Sequence, residues 1–273
     1  MTIPASSKDH MGDPRPLNRW GNWVHRRVAS LARSLFKRIP ASIKLQRSVI
    51  DMDASLLALR DAGFRPSAVI DIGAHDGAWS IMAHRRFPEA TFHMFEALPG
   101  KQDILRDVCA RRLKNGSTVH ISLLGPEERE AVTFFEMGTG SSVLSEVTGF
   151  ARTQRALPMR RLDSLLEPLD LHGPLFVKID TQGFEIEILR GAGEILRKTE
   201  AALLETSLLE FNEGAPSINE VIAFMHERDF VPFDICELHR RASDQVLFQC
   251  DILFVRKDSA LRARKRFFRK EPG

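Results

Sequence analysis

Val69-Ile70-Asp71-Ile72-Gly73-Ala74-His75-Asp76-Gly77 is the stretch on which the reading of this chain turns. The apolar run 68–72 predicts a short strand, the glycine turn after it a reversal, and residues 79–87 a helix closed by Pro88. Gly73 can take a tight turn and lets a ligand approach the backbone, and Gly77 permits close packing where the helix starts. The spacing is G-x-x-x-G rather than the G-x-G-x-x-G of a pyrophosphate cradle. The turn therefore suits a ligand without phosphates better than a dinucleotide.

Outward from this turn the strand–loop–helix alternation repeats. Strands are predicted over 91–95, 118–123, 175–179 and 201–205, and helices over 101–113, 184–189 and 218–227. A hairpin-like segment covers 131–137, and a Gly/Ser-rich loop follows over 138–142. Strands at 230–236 and 246–255, joined by a polar stretch, predict an antiparallel pair at one edge. Strands separated by helices require parallel pairing with crossovers. The expected fold is α/β, a doubly wound, mostly parallel sheet with an antiparallel edge strand. Ligands in such sheets bind beyond the carboxyl ends of the strands.

In 273 residues, 43% of them apolar, there is material for one α/β core with an added arm. The expected organisation is a basic tail and amphipathic helix over 1–50, a central domain over 51–257 and a basic tail over 258–273. Within the arm, Trp20, Val24, Val28, Leu31 and Leu35 recur at helical spacing over 17–38, and a second helix is predicted over 51–62, ending at Gly63. Net charge is +3, yet residues 14–50 carry +9 and residues 256–273 carry +6, which leaves −12 on the rest. An acidic body with basic ends suggests that the ends meet something anionic. Tryptophans beside arginines in 17–38 fit a helix lying on anionic lipid, or one packed on the domain with its charges exposed. The charge alone also allows nucleic acid, but no recognised module accompanies it. No run approaches ~18 apolar residues and the start is polar, so the expectation is a cytoplasmic protein, with membrane association through the arm as one of its two readings. Cys109, Cys236 and Cys250 are scattered, which argues for buried thiols rather than a zinc site or disulfides.

Glu96 closes the second strand, 25 residues after Asp71. An acid there is placed to accept the two hydroxyls of a ribose. Asp71, beside the first turn, is expected to bind an amino group directly or through water. Adenosine plus an amino acid without phosphate describes S-adenosylmethionine (SAM). The expected cofactor residues are Asp71, Gly73, Ala74, Gly77, Glu96 and Ala97.

Over roughly residues 50–256 the chain resembles the FkbM-type methyltransferases. The resemblance rests on Val69 to Ala74, on Phe95-Glu96-Ala97-Leu98-Pro99 and on Arg161-Leu162-Asp163-Ser164-Leu165. It continues in Val177-Lys178-Ile179-Asp180-Thr181-Gln182-Gly183-Phe184-Glu185, Leu189-Arg190-Gly191-Ala192 and Asp251-Ile252-Leu253-Phe254-Val255. It implies a Rossmann-like class I methyltransferase that uses SAM for O-methylation, often of sugars, glycolipids or hydroxylated natural products. Thr181-Gln182 stands where many members carry an acid before the glycine.

Methyl transfer needs alignment of the acceptor oxygen and, in some cases, a base for its proton. Asp180, at the end of the fourth strand, is the first candidate base, with capping of the next helix as its other reading. Glu205 ends the fifth strand, and Asp180 and Glu205 together are placed to hold a hard cation or to pair with Lys178 or Arg190. No compact ligand cluster is visible, so no metal is assigned. His75 in the turn and His239 after the sixth strand are further base candidates, each with plain exposure as its alternative. Ser141 and Ser142 line the acceptor pocket or form an ordinary surface loop. Competing functions are a nucleotide-cofactor oxidoreductase on the same fold, which the missing G-x-G-x-x-G disfavours, and a non-catalytic partner protein.

Overall fold

Ala68–Ile72 forms strand β1, buried along its whole length. In this computed structural model, residues 50–113, 116–145 and 152–263 are described. The arm helix expected over 17–38 and the last part of the basic tail lie outside them. Helix α1, Met52–Asp61, precedes β1; Asp51 caps it by accepting from the Ala54 amide. After β1 come α2 (Ala78–Arg86), β2 (Thr91–Glu96), α3 (Gln102–Val108) and β3 (Thr118–Ile121). Then follow β4 (Leu123–Leu124), β5 (Arg129–Glu136), β6 (Thr153–Arg160), α4 (Leu162–Leu166) and β7 (Leu175–Ile179). The rest is α5 (Glu185–Arg190), α6 (Gly193–Lys198), β8 (Thr199–Ser207), α7 (Ile218–His226), β9 (Phe230–Arg240) and β10 (Leu247–Arg256).

Seven strands make one sheet in the order β3-β2-β1-β7-β8-β10-β9. All neighbours pair in parallel except β10, which runs antiparallel to both β8 and β9. The predicted edge pair forms, with β9 outermost and the reversed strand just inside it. Alternating side chains feed two cores. Ile70, Ile72, Val177, Ile179 and Leu204 pack against α4 to α7, and Val69, Phe92, Phe176, Leu203 and Leu253 pack against α1 to α3. Burial on both faces explains why these strands read as continuous apolar runs. Cys236 and Cys250 are buried thiols as expected, whereas Cys109 is half-buried.

Between β3 and β7 the chain builds a second sheet, β4-β6-β5, closed over Leu98, Leu123, Phe134 and Met159. Strand β6 and the short helices α4 and α6 are absent from the sequence reading. The β6 sequence, TQRALPMR, is mostly exposed and carries a proline, so it lacks apolar alternation. The two helices are five and six residues long, too short to show helical periodicity. Asp163 ties them together, accepting from the amides of Glu194 and Ile195 at 3.2 and 3.1 Å.

The chain leaves β1 toward β2 and β3 and returns on the other side as β7, so the sheet changes direction between β1 and β7. Gly73 follows β1 with φ +75°, and a Cβ there would stand 2.0 Å from the carbonyl oxygen of Asp180. The turn after β7 is held by buried Glu185, whose Oε1 accepts from the Thr181 and Gly183 amides at 3.0 and 3.1 Å and from Thr181 Oγ1 at 3.2 Å. Burial raises this carboxyl to about 7, against those donors.

Two consequences are measurable. Gly73→Ala should lower unfolding free energy by at least about 2 kcal/mol in urea titration, because strain and overpacking coincide. Folded Glu185 holds its proton more tightly than the unfolded chain, whose carboxyl titrates near 4.5. Wild type should therefore lose about 1–3 kcal/mol of stability relative to Glu185→Gln as pH rises from 4.5 to about 7. Parallel pH–stability curves for the two proteins would contradict this.

Candidate functional site

Two cavities open at the carboxyl ends of the parallel strands. The first, of about 290 Å³, is walled by Gly73, Ala74, His75, Glu96 and Ala97 from the ends of β1 and β2. Leu123, Phe134 and Val143 enclose it from the small sheet, and Asp180 and Gln182 close it from the β7 side. The second, of about 550 Å³, lies over β7, β8, β10 and β9 and is lined by Lys178, Glu205, His239, Gln249 and Asp251. Trp79, Asp180 and Gln182 belong to both walls. The two cavities thus adjoin as compartments at a shared wall, at the point where the sheet changes direction.

In the first compartment Glu96 is buried at the end of β2, and its carboxylate is aimed by two backbone amides. Oε2 accepts from His75 N and Oε1 from Leu98 N, both at 3.0 Å. A carboxylate offers about four acceptor positions, so two remain for a ligand. The loop is fixed by the Gly73 and Ala74 amides, which both donate to Phe95 O at 3.0 Å.

Asp71 and Gly77 are not on the wall. Asp71 is fully buried and tied within the protein. Its Oδ2 accepts from Ser80 Oγ at 2.6 Å, and its Oδ1 lies 3.4 Å from Lys178 Nζ. Gly77, at φ +78°, starts α2 where a Cβ would press on Val108. That is the close packing expected of it, and Gly77 does not line the cavity.

Lys178 is buried within β7. Its buried ammonium lies 3.4 Å from both Asp71 and Asp180 and donates to Gly73 O at 3.2 Å. Burial opposes the charge, but Asp180 and Asp71 outweigh it and hold the ammonium above the ordinary lysine range. Asp180 itself is 43% exposed and faces both compartments. Its alternative reading as a helix cap is set aside: Phe184 occupies the cap position of α5, and Glu185 binds the free amides.

The departure at Thr181-Gln182 acquires a geometry. Gln182, at φ +57°, donates Nε2 to Glu205 Oε2 at 2.7 Å and to Asp180 Oδ1 at 3.4 Å. An ionised acid here would repel both. Glu205 lies within β8 rather than at its end and is 8% exposed. Burial, then Asp180, Glu185 and Asp251, push its carboxyl well above the usual range.

His239 lies within β9, which runs four residues beyond the predicted end at Cys236. Its Nε2 stands 3.8 Å from Asp251 Oδ2, and Asp251 raises the imidazole above its ordinary value against burial. His75, at φ +50°, lines the first compartment, with Nε2 2.7 Å from Lys101 Nζ, whereas Glu205 and His239 line the second. Ser141 lines the same compartment, whereas Ser142 is buried and donates to Gln182 O at 3.0 Å. Reasoning from sequence missed Gln182, Gln249 and Asp251 as wall residues. Asp251 stood inside a quoted motif, but its partners come from other strands.

Among solved structures, the chain is similar to precorrin-6y C5,15-methyltransferase from Geobacter metallireducens, with 14% identity and a TM-score of 0.41 over 75% of this chain and 87% of that one. It is also similar to magnesium protoporphyrin IX methyltransferase from Synechocystis with bound SAM, with 10% identity and a TM-score of 0.40 over 89% of this chain and 100% of that one. None of the curated proteins compared with it matches. The sequence profile described as the methyltransferase FkbM domain matches residues 71–232, more than half of the chain. The chain belongs to the FkbM methyltransferase domain family.

Proposed function

We propose that this protein transfers the methyl group of SAM to a hydroxyl of a sugar, glycolipid or glycosylated natural product. The observation that carries the reading is the pair of compartments meeting at Asp180, one walled by the aimed carboxylate of Glu96 and the other by carboxylates and an imidazole.

The first compartment fits SAM in the chemistry of its donors. Glu96 retains free acceptor positions for a ribose diol, while Gly73, Ala74 and Ala97 offer a close-fitting backbone wall. A pyrophosphate would meet Glu96 and Asp180 in the same space, which counts against a dinucleotide. When bound, SAM supplies an electrophilic methyl group on a sulfonium. The protein's own work is to orient the acceptor and take up its proton. Glu205, whose proton affinity is raised by burial and neighbouring carboxylates, lines the acceptor compartment beside Asp180, the group placed to take the proton. Asp180, fixed by Lys178 and Gln182, orients the hydroxyl at the junction. His75 and His239 flank the two compartments as positioning groups. The polar lining of the second compartment suits a hydroxylated acceptor, and a lipid-linked one would bring the basic segment 17–38 to an anionic surface.

Calorimetric titration with SAM should show one site, and Glu96→Ala should weaken it at least about tenfold. Unchanged affinity in Glu96→Ala, or preference for a nicotinamide dinucleotide, would overturn the cofactor assignment. Incubation with methyl-labelled SAM and a cell extract should place label in the glycan or glycolipid pool. Label in RNA alone, or in no pool, would overturn the acceptor class.

A further inference from the structure

Glu205, Asp251 and His239 come from three adjacent strands, β8, β10 and β9. Asp251 is directly opposite Glu205 on one side and Glu237 on the other. Gln249, two residues from Asp251 and on the same face, is opposite His239. One carboxylate oxygen from each acid and one imidazole nitrogen all lie within 4.8 Å of one another. Ligands bound to a first-row ion at about 2.0–2.2 Å stand roughly 3–4.4 Å apart, so small side-chain adjustments would close the triad on an ion.

Two further observations point to a cation. Four carboxylates, Asp180, Glu205, Glu237 and Asp251, line this compartment against the single ammonium of Lys178, which also serves Asp71. Of the four only Glu205 is buried, while Asp180 and Glu237 reach solvent, and a cation would supply the positive charge that the inner carboxyls lack. Gln249 is 5% exposed and lines the cavity, yet its side-chain amide makes no hydrogen bond among the described residues. Its amide, open to the cavity beside the triad, supplies a further oxygen donor.

We infer that Glu205, His239 and Asp251 form a binding site for a divalent first-row metal ion, with Gln249 as an additional oxygen ligand. An ammonium group of a substrate would satisfy the carboxylates but not the imidazole, which is a donor to transition metals. The mixed nitrogen and oxygen set suits Mn²⁺ better than Mg²⁺. An ion here would lie in the acceptor compartment and lower the pKa of a coordinated hydroxyl. That role rests on the methyl-transfer reading; binding of the ion does not.

The test uses the full chain and Mn²⁺ alone, without SAM, so that its failure is separate from failure of the cofactor assignment. Calorimetry should show one equivalent bound. Glu205→Gln and His239→Ala should each weaken it at least about tenfold, and Glu194→Gln on the opposite layer should not. Pulsed electron paramagnetic resonance should show nitrogen coupling to Mn²⁺ that is lost in His239→Ala. His239 is one-third exposed, so this variant decides the matter even where Glu205→Gln fails to fold. No binding at millimolar Mn²⁺, or binding and nitrogen coupling unchanged by His239→Ala, overturns the proposal.

Discussion

The buried ammonium of Lys178 is the constraint on which the site depends. It sits between Asp71 of β1 and Asp180 beyond β7, and it donates to the carbonyl of Gly73. Both strands that flank the change of direction are thereby tied at their carboxyl ends by one charge. Removing one partner from a buried ion pair is strongly destabilising, because it leaves the other charge uncompensated. The same contact fixes what Asp180 can do. Its carboxylate is held at the junction of the two compartments, while Asp71 lies buried behind the wall. The Gly73 turn can approach Asp180 closely because it carries no Cβ.

Around this tie the distribution of charge becomes intelligible. The 181–183 turn would leave amides unpaired, and Glu185 reaches back to bind them. That solution places a carboxyl behind Asp180 and Glu205, and burial among them raises the proton affinity of both glutamates. Gln182 is the compatible residue at the tip: its amide donates to both Asp180 and Glu205, where an acid would add a third charge. Gln182 is thus a local answer to crowding of carboxylates.

Much of the fold was legible because burial on both faces leaves apolar runs. Ala68–Ile72 and Leu175–Ile179 are entirely buried, and glycines mark the turns that follow. Glu96 was legible because it follows such a run at a strand end. Strand β6 was not, since one exposed face and Pro158 erase the alternation. The antiparallel edge pair was foreseen, but not that β10 lies inside β9. That order is set by pairing with β8, a contact made far along the chain. For the site, spacing identified positions but not directions. Asp71 and Glu96 both end or adjoin strands, yet one points into the α1–α3 core and the other into a cavity.

The same limit explains why a metal cluster was invisible. Glu205 and Asp251 are 46 residues apart in the sequence, and His239 lies between them without a spacing that signals ligation. What unites them is register: Asp251 pairs with Glu205, and Gln249 with His239. These acids interrupt strands whose other inward residues, Leu203 and Leu253, are fully committed to the core. Carboxylates at such positions carry a desolvation cost that packing alone does not offset. Strands that could have been completed with apolar residues instead carry acids and an imidazole on one face. The stability forgone there is accounted for if that face holds a cation and presents it to the acceptor.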